Sequence, residues 1–166
     1  MAYAGTPLGM GYGRTRFASP IGAFTLLYIA EDLATSIAEA VIRDRFEGGG
    51  PREVTKGEIS TWGATEVDAS SPLRLLDLRD MGCFLLGVST DVTGAKAQND
   101  ARDLSQIVHD QTDIDGILYS SRLTKRDCAA VYDRAVSPTL TAGPVQQLEK
   151  LAGLLPALIS LNVKLI

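Results

Sequence analysis

Histidine, cysteine and aromatic residues are scarce in this chain. His109 is the single histidine among 166 residues. That excludes metal sites built on several histidines, and leaves any Ser–His or Cys–His scheme dependent on one side chain. The two cysteines, Cys83 and Cys128, are far apart and in no CxxC pattern. They supply neither a zinc site nor a disulfide framework, so a reducing cytoplasm is the expected compartment and no metal is expected. Positive charge is short as well: 16 Lys and Arg stand against 20 Asp and Glu, a net charge of −4. Broad, sequence-independent binding to nucleic acid needs the opposite balance. Long apolar runs are missing. The most apolar stretch, Leu151 to Ile166, is interrupted by Pro156, Asn162 and Lys164 and is too short to span a bilayer. Met1 to Phe17 shows no basic head followed by an apolar core, so no leader peptide is expected. Neither a P-loop nor a G-x-S-x-G elbow occurs. Gly9, Gly11 and Gly13 miss the dinucleotide-loop spacing, because Arg14 stands three places after Gly11.

What remains is ordinary globular composition, with 45% apolar and 22% charged residues. The length suits one domain, 1–166, opening on an irregular Gly-rich arm over 1–13 or the remnant of a first strand. Phe24 to Ile29 reads as a buried strand. A helix follows from about Asp32, a plausible N-cap, to Phe46, with Leu33, Ile37 and Val41 four residues apart; Gly48-Gly49-Gly50-Pro51 ends it. Strands are expected at Val54–Thr61 and Leu73–Leu78, and a strand or buried turn at Cys83–Val88. A second helix is expected at Lys96–His109, then strands at Gly116–Tyr119 and Cys128–Tyr132. Pro144 opens a helix to about Leu155, and Leu161 to Leu165 alternates as a last strand. Strands and helices mix without regular βαβ alternation, which makes the fold class α+β.

Four segments are distinctive. They are Arg16-Phe17, then Leu27-Tyr28-Ile29-Ala30, then Thr35 to Glu39, and finally Gly116-Ile117-Leu118-Tyr119-Ser120-Ser121. Together and in this order they resemble the RES domain family, named for its Arg, Glu and Ser. Its members show an Arg-Phe pair, a Leu-Tyr-x-Ala strand, a helix with Thr-Ala-x-x-Glu, and a late Gly-Ile-x-Tyr-x-Ser. Ser36 stands in the usual alanine place. The resemblance runs from about residue 13 to the end.

The resemblance implies an ADP-ribosyltransferase-like mixed sheet with flanking helices, acting on NAD. It implies a toxin that breaks the nicotinamide–ribose bond, with water or phosphate as acceptor; the alternatives are a transferase that modifies a host protein and a non-catalytic binding module of the same fold. The implied partner is an Xre-type helix-turn-helix antitoxin, and homo-oligomers stay open. Arg16, Tyr28, Glu39 and Ser121 are the implied catalytic residues, with Arg16, Tyr28 and Ser121 holding the dinucleotide. The chemistry suits them. A guanidinium forks to phosphate oxygens, a tyrosine ring stacks on a cationic pyridinium, and a carboxylate offsets oxocarbenium charge. Ser120 rivals Ser121 and Arg14 rivals Arg16, while Arg122 and Arg43 are further phosphate contacts.

Taken singly, these residues have plainer readings. Glu39 lies across the wheel from Leu33, Ile37 and Val41, where it could pair with Arg43 on a surface or face a cleft. Arg16 reads as a loop arginine, Tyr28 as a core tyrosine and Ser121 as a turn residue. Trp62 reads as a packing residue, and His109 as a helix C-terminal cation or solvated side chain.

Overall fold

The computed structural model describes residues 5–47 and 50–166. Its fold class is α+β. The centre is a four-stranded sheet whose spatial order is Leu26–Ala30, Asp127–Tyr132, Gly116–Ser120, Leu75–Asp77. The first three strands pair antiparallel, and Leu75–Asp77 joins parallel to Gly116–Ser120. Tyr28 stands opposite Ala130, and Tyr119 opposite Cys128. These registers bring two tyrosines and a cysteine from distant sequence to one end of the sheet.

One face packs on the helix Asn99–Gln111. Phe17, Phe24, Ile117, Ala130 and Tyr132 are fully or almost fully buried there. The other face buries Leu27 and Val131 against Ala135, Val136 and Leu140, from the helix Asp133–Thr139 and its continuation. A third cluster gathers Ile37, Val41, Ile59, Leu154 and Leu158, and braces the helix that follows the first strand. The apolar side of that helix is thus spent on packing, and its opposite side is left for a cleft.

The helix begins as its sequence signals: the Asp32 carboxylate accepts from the Thr35 N–H at 2.7 Å. Five α-helical residues, Leu33–Ile37, are followed by a π-helical segment, Ala38–Ile42, and a 3-10 turn, Arg43–Phe46. The Arg43 N–H reaches back to the Ala38 carbonyl, five residues away.

Other elements differ from expectation. Val54–Thr61 is not a strand: Glu53–Val54 pairs with Lys164–Leu165, and Lys56–Ser60 is a helix. Its N-cap Thr55 accepts from the Glu58 N–H at 3.1 Å, half of a Thr-x-x-Glu signature that outweighs the local β-branched residues. Cys83–Val88 holds a short helix, Gly82–Leu85, rather than a strand. The second helix starts three residues later than expected and ends at Gln111. Past Pro144 the chain forms a short strand, Gln146–Gln147, and a 3-10 turn, and the helix waits until Leu154–Ser160. In the arm, residues 1–4 lie outside the described residues; residues 5–13 are irregular apart from one bridge from Gly11 to Leu26. His109 lies in the last turn of its helix, as expected, with its side chain only partly exposed. Its ring stacks on Phe24 at 4.4 Å between centroids and meets Tyr132 edge-on at 5.2 Å. No helix among the described residues is long and apolar enough to cross a membrane.

Candidate active site

A cavity of about 630 Å³ opens at the end of the sheet where Tyr28, Tyr119 and Cys128 meet. That size lies within the ~300–1,000 Å³ typical of small-molecule sites. Four further segments wall it. The loop before the first strand supplies Thr15 and Arg16, and the capped helix supplies Ser36, Glu39 and Arg43. The segment before the second helix supplies Thr93, Lys96 and Gln98, with Arg122 and Leu123 completing the rim.

The Arg-Phe pair has a division of labour. Phe17 is fully buried, with its ring edge-on to Tyr119 at 5.0 Å. Its N–H donates to the Tyr28 hydroxyl at 3.1 Å, which also shares a 2.8 Å hydrogen bond with Thr15. Arg102 donates to the Thr15 carbonyl at 3.1 Å and pins the loop from outside. Arg16 is thereby aimed into the cavity. Its guanidinium donates to the carbonyls of Val92 at 3.2 Å and Ala95 at 2.8 Å. Those bonds use two of its five N–H donors. Burial, and secondarily the charge of Arg122, pulls the Arg16 pKa below its ordinary value, with Glu39 opposing. A half-buried, incompletely neutralised guanidinium is an anion-seeking group. Arg14, its rival, is exposed and does not line this cavity.

Tyr28 holds its hydroxyl in the loop and leaves part of its ring open, with 36% of the residue accessible. Burial of the hydroxyl raises its pKa, so it stays a neutral phenol. Tyr119 is raised further by the same cause.

Glu39 faces the cleft, on the side of the helix away from Ile37 and Val41. Its Oε1 accepts a 2.6 Å hydrogen bond from the Ser121 hydroxyl. Ser121 is fully buried and is not on the cavity wall. Its oxygen also accepts from the N–H groups of Leu123 and Thr124, each at 3.1 Å. The structure therefore joins all four expected residues, with Ser121 behind Glu39 rather than at the cavity surface. Ser120 ends the strand and makes no such bond to Glu39.

Sequence reasoning gave no site role to Cys128, Ser36, Tyr119, Thr93, Lys96 and Gln98, although Ser36 and Tyr119 lie inside quoted motifs. The Cys128 thiol is pushed up to about 12 by burial and, next, by the negative charge of Glu39. Despite lining the cavity it is therefore a neutral thiol at neutral pH. Alkylation by iodoacetamide at pH 8 is expected to be about a thousandfold slower than for a free cysteine of pKa ~8.5. Intact-mass spectra of native and urea-treated protein check this. Rapid native labelling at Cys128 overturns it.

Comparison with known proteins decides the family. The RES domain model matches residues 2–150. The chain belongs to the RES domain family. It is also similar to a probable toxin, y4kH, of Sinorhizobium fredii (strain NBRC 101917 / NGR234), with 31% identity over 98 residues. That alignment covers 57% of this chain and 76% of the relative. No solved structure matches the chain. For this RES domain, the matched span includes every residue of the cleft.

Proposed function

We propose that this RES domain is a toxin that consumes NAD+ in the cytoplasm by cleaving the nicotinamide–ribose bond. The observation that carries the reading is the convergence of Arg16, Tyr28 and Glu39 on one cavity, with Ser121 fixing the carboxylate. In this reading the whole chain, 1–166, acts as one ADP-ribosyltransferase-like domain.

The reaction needs positioning and charge more than covalent help. The bond between ribose C1′ and the pyridinium nitrogen breaks, and its electron pair leaves with neutral nicotinamide. The sugar passes through oxocarbenium character, as in glycoside hydrolysis. Arg16 holds the diphosphate with its remaining donors. The open face of Tyr28 stacks on the cationic ring and loses the cation–π part of that contact once the ring is neutral. Glu39 stands beside the ribose, where its carboxylate opposes the growing positive charge. Water or phosphate then attacks C1′ and releases one proton.

Ser121 acts through Glu39 as a positioning residue. Ser121→Ala is expected to lower kcat about tenfold with little change in KM. It also leaves two amides without an acceptor, at a stability cost of about 1–3 kcal/mol. Steady-state kinetics and urea melts read the two effects separately. A change in KM alone would place Ser121 in substrate binding instead.

The direct experiment is to incubate purified protein with NAD+, with and without phosphate, and follow free nicotinamide, ADP-ribose and ADP-ribose-1-phosphate. Folded protein that releases no nicotinamide overturns the reading. Label passing from NAD+ to one band in a host lysate would point to a protein acceptor. An Xre-type helix-turn-helix antitoxin is the expected partner, blocking entry to the cleft.

A further inference from the structure

Beside the cavity lies a second, smaller chamber of about 130 Å³. Arg43, Arg122 and Leu123 border both spaces, and Arg52 and Leu161 line the smaller one alone. Three of the seven residues lining the chamber are arginines, and among the described residues none of the seven is acidic. In a chain of net charge −4, such a concentration of guanidinium is local and specific. At ~30 Å³ per water, the chamber holds about four waters. That suits a tetrahedral oxyanion and falls short of a nucleoside.

One of the arginines is held by a backbone carbonyl, and another stands on strained backbone. Arg52 donates to the Leu161 carbonyl at 3.1 Å. Arg43 follows the π-helical segment with φ 44° and ψ −121°, a left-handed conformation that a non-glycine residue adopts at a cost. Strain of this kind gathers at ligand clamps.

The chamber's position decides what it can hold. Ala38 and Ile42 form its helix side, whereas Tyr28, Glu39, Tyr119 and Cys128 line only the main cavity. An anion in the chamber is therefore separated from the carboxylate that marks the reacting carbon. It is badly placed as the acceptor for bond cleavage, and well placed as a substituent carried at the far end of the substrate.

We infer that the Arg43–Arg52–Arg122 chamber is a phosphomonoester subsite that selects a dinucleotide with an extra phosphate on its adenosine ribose, NADP+ over NAD+. The inference rests on the NAD-cleaving reading of the main cavity. Arginine forks match the dianion's oxygens in a way a single lysine would not.

The test compares kcat/KM for NADP+ and NAD+ in the parent and in Arg52→Gln, a substitution outside the main cavity. The parent is expected to favour NADP+ by about tenfold or more, as for a charge-assisted contact. Arg52→Gln is expected to lose that preference and keep NAD+ turnover within about twofold of the parent, which also serves as its folding control. A parent that prefers NAD+, or a variant that loses both substrates equally, overturns the inference. Millimolar orthophosphate provides a second arm. If it changes NAD+ turnover in the parent and not in Arg52→Gln, the occupant is free phosphate and the dinucleotide assignment fails. A third arm needs no turnover: calorimetry with adenosine 2′,5′-bisphosphate and AMP. Tighter binding of the bisphosphate to the parent, lost in the variant, supports the subsite even if neither dinucleotide is cleaved, an outcome that overturns only the catalytic reading. Equal affinity for the two nucleotides overturns the subsite.

Discussion

Glu39→Gln is expected to reduce nicotinamide release from NAD+ by about 10²–10³-fold, the range for losing a preorganised electrostatic contact to developing charge. The substitution removes the negative charge and little else. The amide oxygen still accepts from the Ser121 hydroxyl, which lies 2.6 Å from the native Oε1. The apolar side of the helix, with Ile37 and Val41, is untouched. KM should therefore stay within a few-fold of the parent value, because the carboxylate matters most when the sugar is cationic. Steady-state kinetics and a thermal melt on the same preparation test this. Turnover equal to the parent's in a folded variant would remove Glu39 from the chemistry, whatever its position in the cleft.

Gly116→Ala is expected to destabilise the protein by about 3 kcal/mol or more, the upper part of the range for overpacking. Gly116 opens the strand opposite Val131, in the interior of the four-stranded sheet. A Cβ there would overlap the Ala130 carbonyl oxygen and lie 2.9 Å from the Val131 Cα. Both are backbone atoms of the neighbouring strand, so no side-chain rotation relieves the clash. The strand must move, and with it Tyr119 and Ser121 farther along the same segment. Urea unfolding of the variant against the parent measures the loss. A difference below about 1 kcal/mol would mean that the sheet accommodates the methyl group.

The central strands and the first helix were legible because their signals are local. Leu26 to Ala30, Gly116 to Ser120 and Asp127 to Tyr132 are apolar runs of strand length, and Asp32 is a cap followed by a spaced apolar stripe. The second helix was legible in kind but shifted in its ends, which local pattern defines poorly. Lys56–Ser60 was missed because Val54, Thr55, Ile59 and Thr61 resemble a strand, and the Thr55–Glu58 pair was the signal that should have prevailed. At the site, local pattern alone made Glu39 half of a surface pair. Only the ordered set of four segments joined it to Arg16, Tyr28 and Ser121. The 82-residue separation of Glu39 and Ser121 leaves no periodic trace. Cys128 and the wall at Thr93, Lys96 and Gln98 carried no signal either, since their place depends on how the second helix docks beneath the sheet.

The π-helical segment Ala38–Ile42 bears on how this site tolerates changes in chain length. A π turn closes over five residues where an α turn closes over four, so it accommodates one residue more than the helix around it. Deleting one residue between Glu39 and Arg43 would let the same bond from the Arg43 N–H to the Ala38 carbonyl close over four residues, as in an ordinary α-helix. Arg43 would keep its place at the rim, and Asp32, Thr35 and Ile37 their contacts before it. A single codon lost at this point is thus absorbed within the turn, and the rim arginine and the carboxylate go on facing the same cleft.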